Sequence, residues 1–257
     1  MTRTIAVANQ KGGVGKTTTA VNLAASLAVA EKKVLLVDFD PQGNATSGLG
    51  VEKNGSGSVY HAIIGQEDIG TLLKSTELRY LKVLPSSIDL IGAELELIDD
   101  PEREFRLKEC LGRINRHFDY IIIDCPPSLS LLTVNALVAA DSVLVPLQCE
   151  YYALEGISQI VRTIDLIKAK LNPALEIEGV VLTMFDSRNN LAHQVEEEIR
   201  THFKDKAFKT IIPRNVRLSE SPSFGKPVLL YDIQSKGAVS YMDLAKELIL
   251  SGEKAID

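Results

Sequence analysis

Residues 11–18 read KGGVGKTT, a glycine-rich loop between an apolar run (residues 4–9) and a stretch with helical spacing (residues 18–30). A turn of this kind, leaving a strand and opening a helix, aims backbone N–H groups and a helix N-terminus at a single anion. Gly12, Gly13 and Gly15 let the main chain bend tightly, so that its amides, with those of Val14 and Thr18, cradle phosphate oxygens. Lys16 then reaches the terminal phosphates, and the Thr17 hydroxyl suits a Mg²⁺ ligand. The unusual feature is a second lysine, Lys11, five positions before the first.

Apolar, β-rich runs recur at residues 33–38, 81–84, 120–124, 142–147 and 176–183. Several are apolar at consecutive positions, which is the pattern of strands covered on both faces. Helical spacing separates them at 104–118, 154–171 and 240–250. This alternation predicts one α/β domain over residues 1–257, with a doubly wound, mostly parallel sheet flanked by helices. Residues 43–58, rich in glycine and serine, read as a mobile loop that senses the bound group.

The chain has 257 residues, 45% hydrophobic and 24% charged, and a net charge of -6. Nucleic-acid contact would therefore depend on a local basic patch, not on a global field. Cys110, Cys125 and Cys149 form no C-x-x-C pair, so a reduced, cytoplasmic setting is expected. No basic-then-apolar leader and no apolar run of membrane-spanning length is read. His61, His117, His193 and His202 lack metal-ligand spacing.

Two acidic patterns accompany the loop. Strand two ends in DFDPQGN, placing Asp38 and Asp40 at a strand's carboxyl end, where open α/β sheets bind ligands. The run YIIIDCPPS ends four bulky residues in Asp124, within reach of a metal's surroundings, with Pro126 and Pro127 stiffening the segment beyond it. Cys125 reads as a packed thiol. Residues 183–186 (TMFD) have methionine where a guanine-reading [NT]-K-x-D motif needs lysine, which favours adenine.

Gln10 stands where the common G-x-x-x-x-G-K-[ST] loop has glycine, and the loop instead resembles the deviant Walker A loop of the ParA/MinD family of ATPases. The likeness continues through DFDPQGN, IIIDCPPS, TMFD and IPRNVRLSESPSFGKPV, and is strongest to the short chromosomal ParA (Soj) group. It implies a P-loop NTPase fold of the deviant Walker A type, with ATP and Mg²⁺ as nucleotide and metal. Lys11 would reach the partner subunit's phosphates in a nucleotide-sandwiched homodimer, as an arginine finger does elsewhere. Gly12 would lie where two backbones meet. Asp40 would position the attacking water, Asp38 and Asp124 would support the metal with Thr17, and Pro213 and Asn215 would flank the adenine beside Arg214.

The resemblance also implies slow hydrolysis stimulated by a ParB-type activator protein, and an ATP dimer on non-specific double-stranded DNA, hence on the nucleoid. Arg188 and Arg217 take the DNA-contacting positions, with Lys204, Lys206, Lys209 and Arg214 as weaker additions. The short stretch before Gln10 leaves no room for an amino-terminal DNA-reading domain. No membrane contact is expected, although a MinD-like membrane ATPase is the main alternative, because residues 241–257 have an apolar face formed by Tyr241, Leu244, Leu248 and Ile249. That segment carries four acids against two bases, unlike a lipid-binding helix. Amide-forming synthetases and iron–sulfur reductases with this loop type are the metabolic alternatives.

Overall fold

Eight strands form one sheet in the computed structural model, which describes residues 2–53, 57–150 and 153–254. They are β1 (Arg3–Val7), β2 (Val34–Asp38), β3 (Lys74–Ser75), β4 (Leu81–Leu84), β5 (Tyr120–Asp124), β6 (Ser142–Gln148), β7 (Glu176–Phe185) and β8 (Ala207–Pro213). Their order is β3-β4-β2-β5-β1-β6-β7-β8, and every pairing is parallel except that of β3 with β4. β1 is central, and the chain leaves it toward β2 and β4 on one side and toward β6, β7 and β8 on the other. The loop after β1 thus lies at the reversal of strand order, where sheets of this type open a crevice.

The helices are α1 (Lys16–Val29), α2 (Asn44–Gly48), α3 (Val59–Ile63), α4 (Ile69–Leu72), α5 (Leu90–Glu96) and α6 (Arg106–Gly112). Beyond them come α7 (Leu131–Ala139), α8 (Ala153–Lys170), α9 (Asn190–Phe203), α10 (Val216–Glu220), α11 (Val228–Tyr231) and α12 (Lys236–Lys254). Successive strand residues enter opposite cores. Ile121 and Ile123 pack with α6, α7 and α8 in one cluster, while Ile122 joins Ile5, Val7, α1 and α12 in the other. Both faces are dry, which is why the central strands read as unbroken apolar runs.

Three expectations change. Residues 44–48 form α2, with Ala45 and Thr46 buried, so that part of the 43–58 segment is packed; residues 54–56 lie outside the described residues. The 104–118 stretch divides into α6 and a 3₁₀ turn, Asn115–His117. β8 extends the sheet beyond residue 183 as an edge strand paired only with β7.

Candidate nucleotide site

The loop after β1 is shaped by two left-handed glycines, Gly13 (φ 75°) and Gly15 (φ 86°). Gly15 caps α1 without any side-chain hydrogen bond, so the first N–H groups of that helix face the crevice with no internal partner. Lys16, nearly buried, folds back so that its Nζ donates to the Lys11 carbonyl at 3.0 Å. Burial draws the Lys16 ammonium below its ordinary pKa, opposed by Asp124, Cys125 and Asp40. Thr183 on β7 fixes the loop from the other side, its hydroxyl donating to the Val14 carbonyl at 2.9 Å.

The strand ends bring Asp38 and Asp124 together, both fully buried and in register across β2 and β5. Asp38 Oδ2 accepts from the Thr46 N–H and hydroxyl, each at 2.6 Å, so this carboxylate holds the start of α2. Burial still pushes its pKa up to about 6. Neither oxygen of Asp124 has a hydrogen-bond partner among the described residues. Its pKa is raised well above the ordinary value, first by burial and then by Asp38, with the adjacent Thr17 hydroxyl opposing only in part. A buried carboxylate with two unmet acceptors, next to a second acid and a threonine hydroxyl, fits a divalent cation. Among the described residues no group of three or more His, Cys, Asp or Glu has a cage geometry.

A cleft of about 480 Å³ opens over the phosphate loop. Its lining includes Gly12, Gly13, Gly15, Lys16, Thr17 and Thr18 of the loop, Asp40 and Asn44 after β2, and Pro213, Arg214 and Asn215 at the end of β8. Asp40 Oδ1 accepts from the Gln42 N–H at 2.9 Å and so closes a tight turn beside the cleft. Asn215 Oδ1 accepts from the Arg217 N–H and starts α10, which fixes this part of the lining. Met184 also lines the cleft, with φ at 49°, a conformation that non-glycine residues adopt at a cost and that clusters at functional sites.

Val14, Asp38 and Asp124 are buried and do not themselves line the cleft, and Lys11, Arg188 and Arg217 also lie outside the lining. Lys11 Nζ contacts Glu150 Oε2 at 2.6 Å, and both side chains are more than a third exposed. Such surface pairs contribute about 0–1 kcal/mol, so the lysine is readily released to an anion. Arg188 grips Asp186 through two bonds, at 2.9 and 2.8 Å, and holds that carboxyl well below the usual range. Arg217 contacts Glu220 at 2.9 Å and Asp232 at 3.2 Å. Both arginines are thus matched by local acids.

All three cysteines are buried, and burial pushes each thiol up, Cys149 to about 12. None is a ready nucleophile. His61 accepts the Ser58 N–H at 3.1 Å as part of a helix cap, and His193 contacts the Ser187 carbonyl, so neither belongs to the cleft. The apolar face of α12 is occupied: Tyr241, Leu244 and Leu248 are buried against α1. Residues 255–257 lie outside the described residues. No described helix is long and apolar enough to cross a membrane.

Sequence reading missed Thr46 and Glu150, and it read Thr183 and Tyr241 only as part of the TMFD segment and of an apolar face, not for the Thr183 contact to Val14 or the Tyr241 hydroxyl 3.1 Å from that of Thr19. Their partners stand 8 to 222 positions away, and only the Thr46 contact is near enough for a local pattern to have marked it.

Comparison with known proteins agrees with this geometry. Residues 2–177 match the AAA domain family. The chain is 63% identical over 248 residues to the chromosome partitioning protein ParA of Myxococcus xanthus, covering 96% of this chain and 88% of that one. It is 57% identical over 253 residues to the sporulation initiation inhibitor protein Soj of Bacillus subtilis, covering 98% and 100%. A solved structure, cobyrinic acid a,c-diamide synthase from Mycobacterium smegmatis with bound ADP and magnesium, superposes with a TM-score of 0.87 at 38% identity, covering 99% and 97%. A phosphate loop on a central parallel strand, two buried acids beside it and near-full-length identity to ParA and Soj together make this chain a member of the ParA/MinD family of P-loop ATPases, in its ParA/Soj partitioning group.

Proposed function

We propose that the chain is an ATP-driven dimerisation switch that binds double-stranded DNA without sequence preference and leaves it after hydrolysis stimulated by a ParB-type activator. The observation that carries this reading is the cleft of about 480 Å³, whose lining combines the phosphate loop, Asp40 and Pro213–Arg214–Asn215 and whose volume suits a small-molecule ligand. Phosphates would occupy the amides of residues 12–18, and the adenine would lie between Pro213 and Asn215. Bound Mg²⁺ would neutralise phosphate charge, held by Thr17 directly and by Asp38 and Asp124 through water. Asp40 would orient the attacking water. Lys11, freed from Glu150, would meet the phosphates of a second copy. With positioning and charge as the only catalytic means, turnover is expected to be slow until a partner completes the site.

DNA contact through Arg188 and Arg217 requires each to exchange its carboxylate for a phosphate. One copy brings few such contacts, and dimerisation doubles them. Each phosphate contact adds about 0.9 to the log–log salt slope, so the dimer binds where the monomer falls off. An amide-forming reaction has less support, since the partitioning relatives are 63% and 57% identical and the synthase 38%.

The test is fluorescence anisotropy of a random-sequence duplex with Asp40→Ala protein, in ATP–Mg²⁺ and in ADP, across a salt series and with anionic liposomes in parallel. Salt-sensitive DNA binding with ATP alone is expected. Liposome binding without DNA binding would replace the reading with a membrane-positioning ATPase, and wild-type turnover by Asp40→Ala would remove that residue's role.

A further inference from the structure

Thr46 is fully buried in α2, and its hydroxyl sits between two partners that cannot exchange roles. The Ser86 N–H, just beyond β4, donates to it at 3.0 Å. A backbone N–H can only donate, so the Thr46 hydroxyl must direct its own proton to its other partner, Asp38 Oδ2, at 2.6 Å. The Thr46 N–H donates to the same oxygen, also at 2.6 Å. Threonine hydroxyls ordinarily rotate to suit their surroundings. This one has a fixed direction.

The two oxygens of Asp38 are thereby made unequal. Oδ2 takes two short bonds, whereas among the described residues Oδ1 is met only by the Asp40 N–H at 3.4 Å, beyond the usual range of such bonds. Pinned at Oδ2, the carboxylate keeps Oδ1 for a further donor or for the water of a cation. Asp124 stands in register with it across β2 and β5, and both Asp124 oxygens are without a hydrogen-bond partner among the described residues. Carboxylates around a metal are held in orientation by hydrogen bonds of this kind, and loss of the outer partner weakens metal binding.

We propose that Thr46 is a positioning residue for the Mg²⁺ site, its hydroxyl holding Asp38 so that Oδ1 is the oxygen offered to the cation's shell. The proposal rests on the reading that Asp38 supports Mg²⁺ bound with the nucleotide. The place of Thr46 in the chain extends its effect. α2 also carries Asn44, which lines the cleft, and the Gly43 N–H directly before it donates to the Asp40 carbonyl at 2.9 Å. One short helix therefore sets both the carboxylate near the cation and the turn that bears Asp40. The property at stake is the Mg²⁺ requirement and not nucleotide binding as such.

The experiment compares Thr46→Ala with Thr46→Ser in the full chain. Both lose the methyl group and only alanine loses the hydroxyl, so the pair separates the hydrogen bond from packing. Binding of fluorescent N-methylanthraniloyl-ADP, which is not turned over, is followed in EDTA and across a Mg²⁺ titration, with Asp38→Asn alongside and thermal melts to confirm folding. Thr46→Ala should need about tenfold or more Mg²⁺ for half-saturation, with its affinity in EDTA unchanged. Thr46→Ser should match the wild type. If Thr46→Ala does not fold, Thr46→Val, which keeps the shape without the hydroxyl, takes its place. A merely structural role would lower stability and affinity alike in EDTA and in Mg²⁺ and leave the Mg²⁺ requirement unmoved; that result overturns the proposal. So does a Thr46→Ser requirement equal to that of alanine. A raised requirement in Asp38→Asn but not in Thr46→Ala removes the role of Thr46 alone, whereas an unmoved requirement in both removes the reading of Asp38 with it.

Discussion

Asp38 combines a structural and a chemical role in one carboxylate, and its pKa shift makes the combination measurable. Folded, its value is pushed up from 3.8 to about 6, chiefly by burial, even though Thr46 donates to it twice. Between those two values the folded chain keeps a proton that the unfolded chain has released. Stability from this group therefore falls as pH rises from about 4 to about 6, and the loss is complete above that window. Asp124, also raised, adds to the same trend. Asp38→Asn retains an oxygen for Thr46 but does not titrate. Thermal melts of nucleotide-free protein across this window should show a shrinking advantage of wild type over variant as pH rises, and a constant difference would contradict the raised value. The cost is consistent with function: two buried acids held in register are poised to receive a cation.

At the scale of elements, the β7–β8 edge tests the fold most directly. A Cβ on Gly179 would lie 2.7 Å from the Lys206 carbonyl oxygen and 2.6 Å from the Phe208 ring. Glycine in a strand interior often marks such a close approach. Gly179→Ala should destabilise by about 1–3 kcal/mol. Urea denaturation would register this as a lower midpoint at unchanged slope; an unchanged midpoint would mean that β8 does not lie against β7 in this way. The same edge shows where the sequence was legible and where it was not. Central strands such as β2 and β5 are dry on both faces, so VLLVD and YIIID announce themselves. β8 reads AFKTIIP, an edge strand with exposed Lys209, and carries no such run. α7 has apolar residues all round and therefore no helical period, while the N-cap of α9, Asn189, was a usable signal that periodicity alone overlooked. In the site, the phosphate loop was readable because consecutive residues do the binding. The Lys11–Glu150 and Thr183–Val14 contacts join residues 139 and 169 positions apart, and only the folded chain brings them together.

At the scale of the whole molecule, Gly12 separates what one chain needs from what two chains need. In a single copy, a Cβ at Gly12 would meet nothing within 4 Å, and unlike Gly13 and Gly15 its backbone is not left-handed. A valine there is therefore compatible with the fold and with the loop's amides. A Gly12→Val variant that keeps its nucleotide affinity and still fails to dimerise would owe the defect to a second backbone that approaches the loop closely. The expected outcome is a variant with a wild-type melting temperature and nucleotide affinity that stays monomeric in ATP–Mg²⁺ by light scattering. Such a monomer would lack the trans lysine, and with it stimulated turnover and salt-resistant DNA binding together. A Gly12→Val dimer with full activity would instead mean that the loop acts within one chain. Lys11 would then have its role at Glu150, where the structure holds it.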